Sequence, residues 1–367
     1  MKAKTIVLIV VLAAIVGAIV YLQKLSPAVP QGNGPLKPSQ NTEGLSDELA
    51  AKAQKYPLAP NFIPGGEWLN SPPLNIEDLR GKVVLVDFWT YSCINCIRTL
   101  PYITMWDEKY RDQGLVIVGV HTPEFEFEKD PDNVRQALAK YDIKYPVVQD
   151  NDYQTWSAYA NHYWPHKYLV DIDGFVRYDH IGEGGYEQTE LMIQGLLEEK
   201  AEREGNQVNM TGIVRPDTSS VEYNKILSPE LYLGAARRRH SGGNAEGYPL
   251  GETITYTLSD TRDINVPYNT GTWLNEEDDM QLMGDSGSIF LKYNAKSVNI
   301  VAGADPGSMV DVYVDGVLES SGSDAMNGMV SVKGQRLYNV VNKDYAPHDL
   351  ELRVHGHGFR IYTFTFG

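Results

Sequence analysis

The sequence predicts an α/β domain followed by an all-β sandwich, both carried behind an N-terminal transmembrane helix. Three observations carry this expectation. Residues 5–22 are an uninterrupted apolar run of about 18 residues, the length a helix needs to cross the hydrocarbon core of a bilayer. Val83, Val84, Leu85 and Val86 run through Asp87, Phe88 and Trp89 toward Cys93-Ile94-Asn95-Cys96, which reads as a strand covered on both faces leading into two cysteines. From residue 211 onward the texture changes to Gly, Asn, Asp and Tyr, with apolar residues alternating at period two between turn signals.

A chain of 367 residues suits two cores with linkers. Its formal net charge of -16 argues against nucleic acid as a partner, because phosphates would be repelled by such a surface. Only two cysteines occur, Cys93 and Cys96, so no structural disulfide can form elsewhere in the monomer. Structural zinc needs four ligands, and neither a second Cys-x-x-Cys nor a His pair stands near the motif. Redox use is the economical reading of both cysteines.

In chain order, residues 1–26 form a cytoplasmic tip and anchor, since Lys2 and Lys4 precede the apolar run and place the remainder outside. A cleaved signal peptide competes with this, but no small-x-small site follows the run. Residues 27–55 are a flexible linker, rich at first in Pro, Gly, Asn, Gln and Ser. The α/β domain occupies residues 56–205. After the strand at residues 83–89, Ser92 can cap a helix whose first turn holds Cys93, where free N–H groups and the helix dipole favour a thiolate. Cys96, one turn further in, is near enough to form a disulfide with Cys93, and Pro101 removes a hydrogen bond from the same helix. The first cysteine sits at the helix tip and the second deeper, so Cys93 is the expected nucleophile and Cys96 the residue that resolves the mixed disulfide.

A second buried strand spans residues 115–120. Asp130-Pro131 then opens a helix with a capping Asp and Pro at its first position, and Val134, Ala137, Leu138 and Tyr141 follow at helical spacing. Tyr153, Trp156 and Ala160 mark another helix. Pro165 enters a strand that ends in the Asp173-Gly174 turn and returns through Phe175, Val176 and Tyr178. Leu191, Met192 and Leu196 belong to a closing helix that ends near Glu204 before Gly205. Residues 206–228 are a second linker. In residues 229–367, Ile254/Tyr256/Leu258, Ile289/Leu291/Tyr293, Val310/Val312/Val314 and Leu350/Leu352/Val354 alternate with polar residues, as strands of an antiparallel sandwich do. The acidic run at residues 276–279 lacks the spacing of a calcium loop and reads as a solvated turn, so no metal site is expected.

Val-Asp-Phe-Trp before Cys93-x-x-Cys96, with Pro101 five residues after the second cysteine, resembles the active site of thioredoxin-like proteins. The lead-in at residues 74–82 is similar to the TlpA-like branch, which is membrane-tethered and extracytoplasmic. Residues 121–130 and 152–165 resemble the thioredoxin part of DipZ-type proteins, in which a membrane electron-carrier domain, a thioredoxin-like domain and a β-rich domain are fused. Both ends of the β region, residues 228–234 and 362–367, resemble that last domain, which is similar to carbohydrate-binding modules.

The resemblance implies a thiol-disulfide oxidoreductase that reduces protein disulfides and needs no cofactor beyond the redox-active Cys93–Cys96 pair. It places the protein in the bacterial inner membrane as a single-pass chain, with the catalytic domain in the periplasm or extracytoplasmic space. One anchor helix stands where DipZ-type proteins carry their electron carrier, so the electron source would be another integral-membrane protein of the CcdA/DsbD kind. Asp87 matches the family's buried acid that helps move the proton of Cys96, and burial should raise its pKa. Pro165 takes the place of the cis-proline that faces the cysteines, and the Trp164 backbone would pair with an extended substrate. Glu124 stands where reducing relatives carry an acid, and Trp89 would shield the cysteine pair as part of the substrate site. Glu126 and Glu128 read as solvated loop charges. His166 and Lys167 replace the Thr that frequently follows the family's cis-proline, which bears on substrate preference.

Two other readings stand beside this one. A glycan at the β domain would make the chain a cell-surface binding protein with an accessory redox domain. A thioredoxin-fold peroxidase would need a Pro-x-x-x-Thr/Ser-x-x-Cys pocket, which is not found around Cys93.

Overall fold

The computed structural model describes residues 36–38, 46–208, 210–217, 221–238 and 242–367. The expected membrane span at residues 5–22 lies outside the described residues, and among those described no helix is long and apolar enough to cross a membrane.

Helix α1, Asp47–Lys55, falls where the sequence predicts linker. Ser46 caps it, and Lys52 ties it down by reaching Asp171, Asp173 and Glu199 at 3.1, 2.6 and 2.8 Å. A half-buried lysine amid three carboxylates outweighs the polar composition of the segment, which alone suggested a tether.

The α/β domain is built on six strands: β1 Trp68–Leu69, β2 Val83–Trp89, β3 Leu115–His121, β4 Val147–Gln149, β5 His166–Val170 and β6 Val176–Ile181. Their order is β1-β4-β3-β2-β5-β6, with β2, β3 and β4 parallel and β5 antiparallel to β2. Helices α2 Ile94–Tyr110, α3 Pro131–Lys140, α4 Gln154–Ala158 and α5 Tyr186–Arg203 accompany them. Asp130 caps α3 and Pro131 opens it, as its sequence requires.

All seven residues of β2 are buried because both faces of the strand are covered. Side chains alternate across a strand. Val83, Leu85 and Trp89 therefore join Ile103 and Trp106 of α2 and Ile193 of α5, while Val84, Val86 and Phe88 join Trp156 and Tyr159. Each such aliphatic side chain contributes roughly 1.5–3 kcal/mol on burial. Asp87 shares the parity of Leu85 and Trp89 and so lies beneath α2, the helix that carries Cys96.

The segment expected as a second linker is docked in part. The carbonyl of Gly212 accepts from Lys109 and Gln194, and the Val214 N–H donates to the buried Glu190 carboxylate at 2.8 Å.

The β region contains β7 Leu231–Tyr232, β8 Thr253–Tyr256, β9 Tyr268–Asn275, β10 Met280–Leu282, β11 Ser286–Ala304, β12 Ser308–Val314, β13 Val317–Leu318, β14 Met329–Val332, β15 Arg336–His355 and β16 Phe359–Phe366. Hydrogen bonds link these strands into one sheet rather than two separate ones. The long strand β11 makes this possible: its first part pairs with β9 through Ser288–Phe290, and its last part pairs with β16 through Val298–Ala304. Since β16 pairs with β10 and β10 with β9, the four strands close a circuit and the sheet folds over itself. Register shifts near Ala295 and Val298 accommodate the change of partner. The two domains share core: Val301, Leu337 and Tyr362 of the β region belong to the cluster beneath α2 and α3.

Candidate active site

Cys93 is the N-cap of α2, with extended backbone angles, and its Sγ accepts the Cys96 amide at 3.4 Å. A donor is thereby aimed at the sulfur where thiolate charge develops. Ser92, expected to be the cap, instead turns inward and donates to the buried Glu128 carboxylate. Cys93 is half-buried and Cys96 fully buried, and both are free thiols. Burial and the neighbouring Cys93 push the Cys96 thiol well above its usual pKa, so it holds its proton.

Asp87 lies on β2 at 1 % exposure, its Oδ1 without a hydrogen-bond partner. Burial pushes its pKa up to about 7, against the attraction of Lys167. Lys167 stands opposite Asp87 in the β2–β5 register, is fully buried, and donates to the Gly182 carbonyl at 3.0 Å. Burial lowers the pKa of Lys167, while Asp87 and Cys96 act to hold it up. The residue is therefore an inward-facing charge beside the redox pair. The signal was its place two residues after Pro165, which fixes the side of β5 it occupies. His166 points to the opposite face, bonded to Asn161 and Asp179 at 2.6 and 2.9 Å. Lys167→Met is expected to raise the Asp87 titration by about one unit, read from the carboxyl resonance in an NMR pH series; an unmoved Asp87 would remove Lys167 from the network.

The Trp164–Pro165 peptide is cis. Trp164 lines the cleft above Cys93, its indole N–H donating to the Thr122 carbonyl at 3.1 Å. Trp89 is placed differently from expectation. At zero exposure it packs edge-on against His121, because its parity in β2 directs it under α2 and away from the surface a substrate reaches.

Glu124 lines the cleft with Cys93, its side chain 11 % exposed. Its carboxylate accepts from the Tyr232 hydroxyl of β7, and burial with Glu230 and Glu128 nearby pushes its pKa up to about 8. Glu128 is buried, not solvated as its composition suggested: it accepts from the Ser92 hydroxyl and from the amides of Glu124 and Phe125. It thus joins the loop after β3 to the residue preceding Cys93. The cleft itself has a volume of about 500 Å³ and is walled on its far side by Tyr223 and Ile226 of the segment joining the domains and by Glu230, Tyr232 and Phe366 of the β region.

Residues 60–179 match the AhpC/TSA family and residues 228–367 the thioredoxin-like C-terminal domain family. Thiol-disulfide oxidoreductase YkuV of Bacillus subtilis is 32 % identical over 132 residues, which are 36 % of this chain and 88 % of that protein. The chain belongs to the thioredoxin-like thiol-disulfide oxidoreductases. Protein DipZ of Mycobacterium bovis is 35 % identical to this oxidoreductase over 329 residues, covering 87 % of the chain. The chain spans 44 % of the length of DipZ. A putative thiol:disulfide interchange protein DsbE from Chlorobium tepidum superposes with a TM-score of 0.35 at 26 % identity, over 39 % of this chain and 97 % of that one.

Sequence reasoning brought Cys93, Cys96, Asp87, Glu124, Trp164 and Pro165 to one region. It missed Ser92 as a partner of Glu128, Lys167 as a partner of Asp87, and Tyr232, which no spacing relates to the cysteines.

Proposed function

We propose that the oxidoreductase is anchored through residues 5–22, works outside the cytoplasmic membrane and reduces the disulfides of other proteins. The observation that supports this best is the half-exposed Cys93 at a helix tip with a buried, protonated Cys96 above the buried Asp87, whose Oδ1 makes no hydrogen bond. The Cys93 thiolate attacks one sulfur of a substrate disulfide, breaking that S–S bond and releasing the other sulfur as a thiolate. Cys96 then passes its proton to Asp87 and attacks Cys93 Sγ. The second substrate thiol leaves, and the Cys93–Cys96 disulfide carries the two-electron oxidation.

Turnover requires two electrons from outside, which an integral-membrane carrier of the CcdA/DsbD kind would supply. Trp164 would pair its backbone with an extended substrate beside Pro165. A peroxidatic Pro-x-x-x-Thr-x-x-Cys pocket would need proline where Val86 lies buried in β2.

The test is the equilibrium potential of the Cys93–Cys96 pair, titrated against glutathione and dithiothreitol. A value of about -250 mV or lower is expected for a reductant, whereas roughly -120 to -180 mV would overturn the reducing direction.

A further inference from the structure

The β region does more at the cleft than enclose it. Its contacts converge on the loop after β3. Arg237 is paired with Asp278 at 2.6 Å, covers the Phe125 ring at 4.9 Å and donates to the Glu124 carbonyl. Tyr362 packs on Phe125 and Phe127 at 5.1 and 4.7 Å. These contacts fix the loop by packing. Tyr232 is different, because its ring contacts Phe125 as a phenylalanine would, while its hydroxyl donates to Glu124 and also lies 3.0 Å from the Glu230 carboxylate. One phenol has one proton. It can be bonded to both carboxyl groups only when it donates to one and accepts from the other, which must then be the acid.

We propose that Tyr232 is a positioning residue of the redox centre: its hydroxyl holds the Glu124 carboxyl in the cleft beside Cys93 and shares a proton between Glu124 and Glu230. The C-terminal domain thereby governs how readily a proton is held in the cleft that the attacking sulfur lines. The inference rests on the reading of Cys93 as that sulfur. The charged and titratable groups facing Glu124 are Glu128 on its own loop, Tyr153 at the start of α4, and Glu230, Tyr232 and Arg237 of the β region. Burial is the largest influence on Glu124, Glu230 and Glu128 next raise its proton affinity, and Tyr232 and Arg237 oppose them. Removing the Tyr232 hydroxyl and removing the Glu230 charge must therefore act in opposite directions.

The experiment is the rate of Cys93 alkylation by iodoacetamide in the reduced full chain as a function of pH, followed by peptide mass spectrometry. Wild type should show an inflection that Glu124→Gln abolishes. Tyr232→Phe should move that inflection up by about one unit, a tenfold change in rate along the limb, and Glu230→Gln should move it down. Neither should act in the Glu124→Gln background. A Tyr232→Phe profile superimposed on wild type, with Glu124→Gln still altered, overturns the proposal and leaves Cys93 and Glu124 in place. A Glu124→Gln profile superimposed on wild type removes Glu124 from the site as well, while the alkylation itself still reports on Cys93. Should Tyr232→Phe fail to fold by circular dichroism, the downward shift with Glu230→Gln decides, and its absence counts against the proposal.

Discussion

Cys93→Ser is expected to abolish disulfide exchange, lowering turnover by at least about a thousandfold, while Cys96→Ser is expected to accumulate mixed disulfides. The difference follows from position. Cys93 is the N-cap of α2, lines the cleft and has the Cys96 amide aimed at its sulfur. Cys96 is buried at 1 % exposure, and its thiol is held protonated by that burial. A serine hydroxyl at position 93 is a far weaker nucleophile than a thiolate. A serine at position 96 leaves the first attack intact and removes only the sulfur that releases the substrate. Non-reducing electrophoresis of each variant incubated with a disulfide substrate makes the distinction, and equal residual turnover in both would contradict the assigned order.

Asp87→Asn is expected to slow exchange most near neutral pH and to stabilise the fold there. Burial raises the Asp87 pKa from 3.8 to about 7. The native state therefore binds this proton more tightly than the unfolded chain. The stability linked to it is full below pH 3.8 and is lost as pH rises through 7. The shift corresponds to about 4 kcal/mol at most, less what Lys167 loses when its facing carboxylate is gone. Asparagine carries no charge at any pH, so the variant lacks this decline. Chemical denaturation should give near-equal stabilities for wild type and variant at the acid end, and a more stable variant above neutrality. Catalysis should change in the opposite sense, because Asn cannot accept the Cys96 proton. A pH–rate profile unchanged by the substitution would return Asp87 to a purely structural role.

The catalytic end of the fold was legible in local chemistry. A hydrophobic run ending in Cys-x-x-Cys specifies a covered strand and a helix tip, and β2 and α2 follow from it. The Asp130-Pro131 start of α3 was equally local. The segment containing α1 was not legible, because its composition is that of a tether and its helix is held by Lys52 contacts with residues more than a hundred positions away. The β region read as alternating strands, but its hydrogen-bonded circuit depends on β11 changing partners along its length, which a period-two pattern does not encode.

The same division runs through the site. Spacing by itself placed the two thiols one helical turn apart, with Cys93 at the tip and Cys96 deeper, and strand parity put Asp87 on the face beneath them; the acid's role came from the family resemblance. Only the tertiary structure decided that Ser92 bonds Glu128, that Trp89 is interior, that Lys167 faces Asp87, and that Tyr232 reaches Glu124 from the other domain. These depend on register between strands and on packing between domains. The physical reason is range: parity and helical period act over a few residues, whereas a buried charge finds its partner wherever the folded chain brings one.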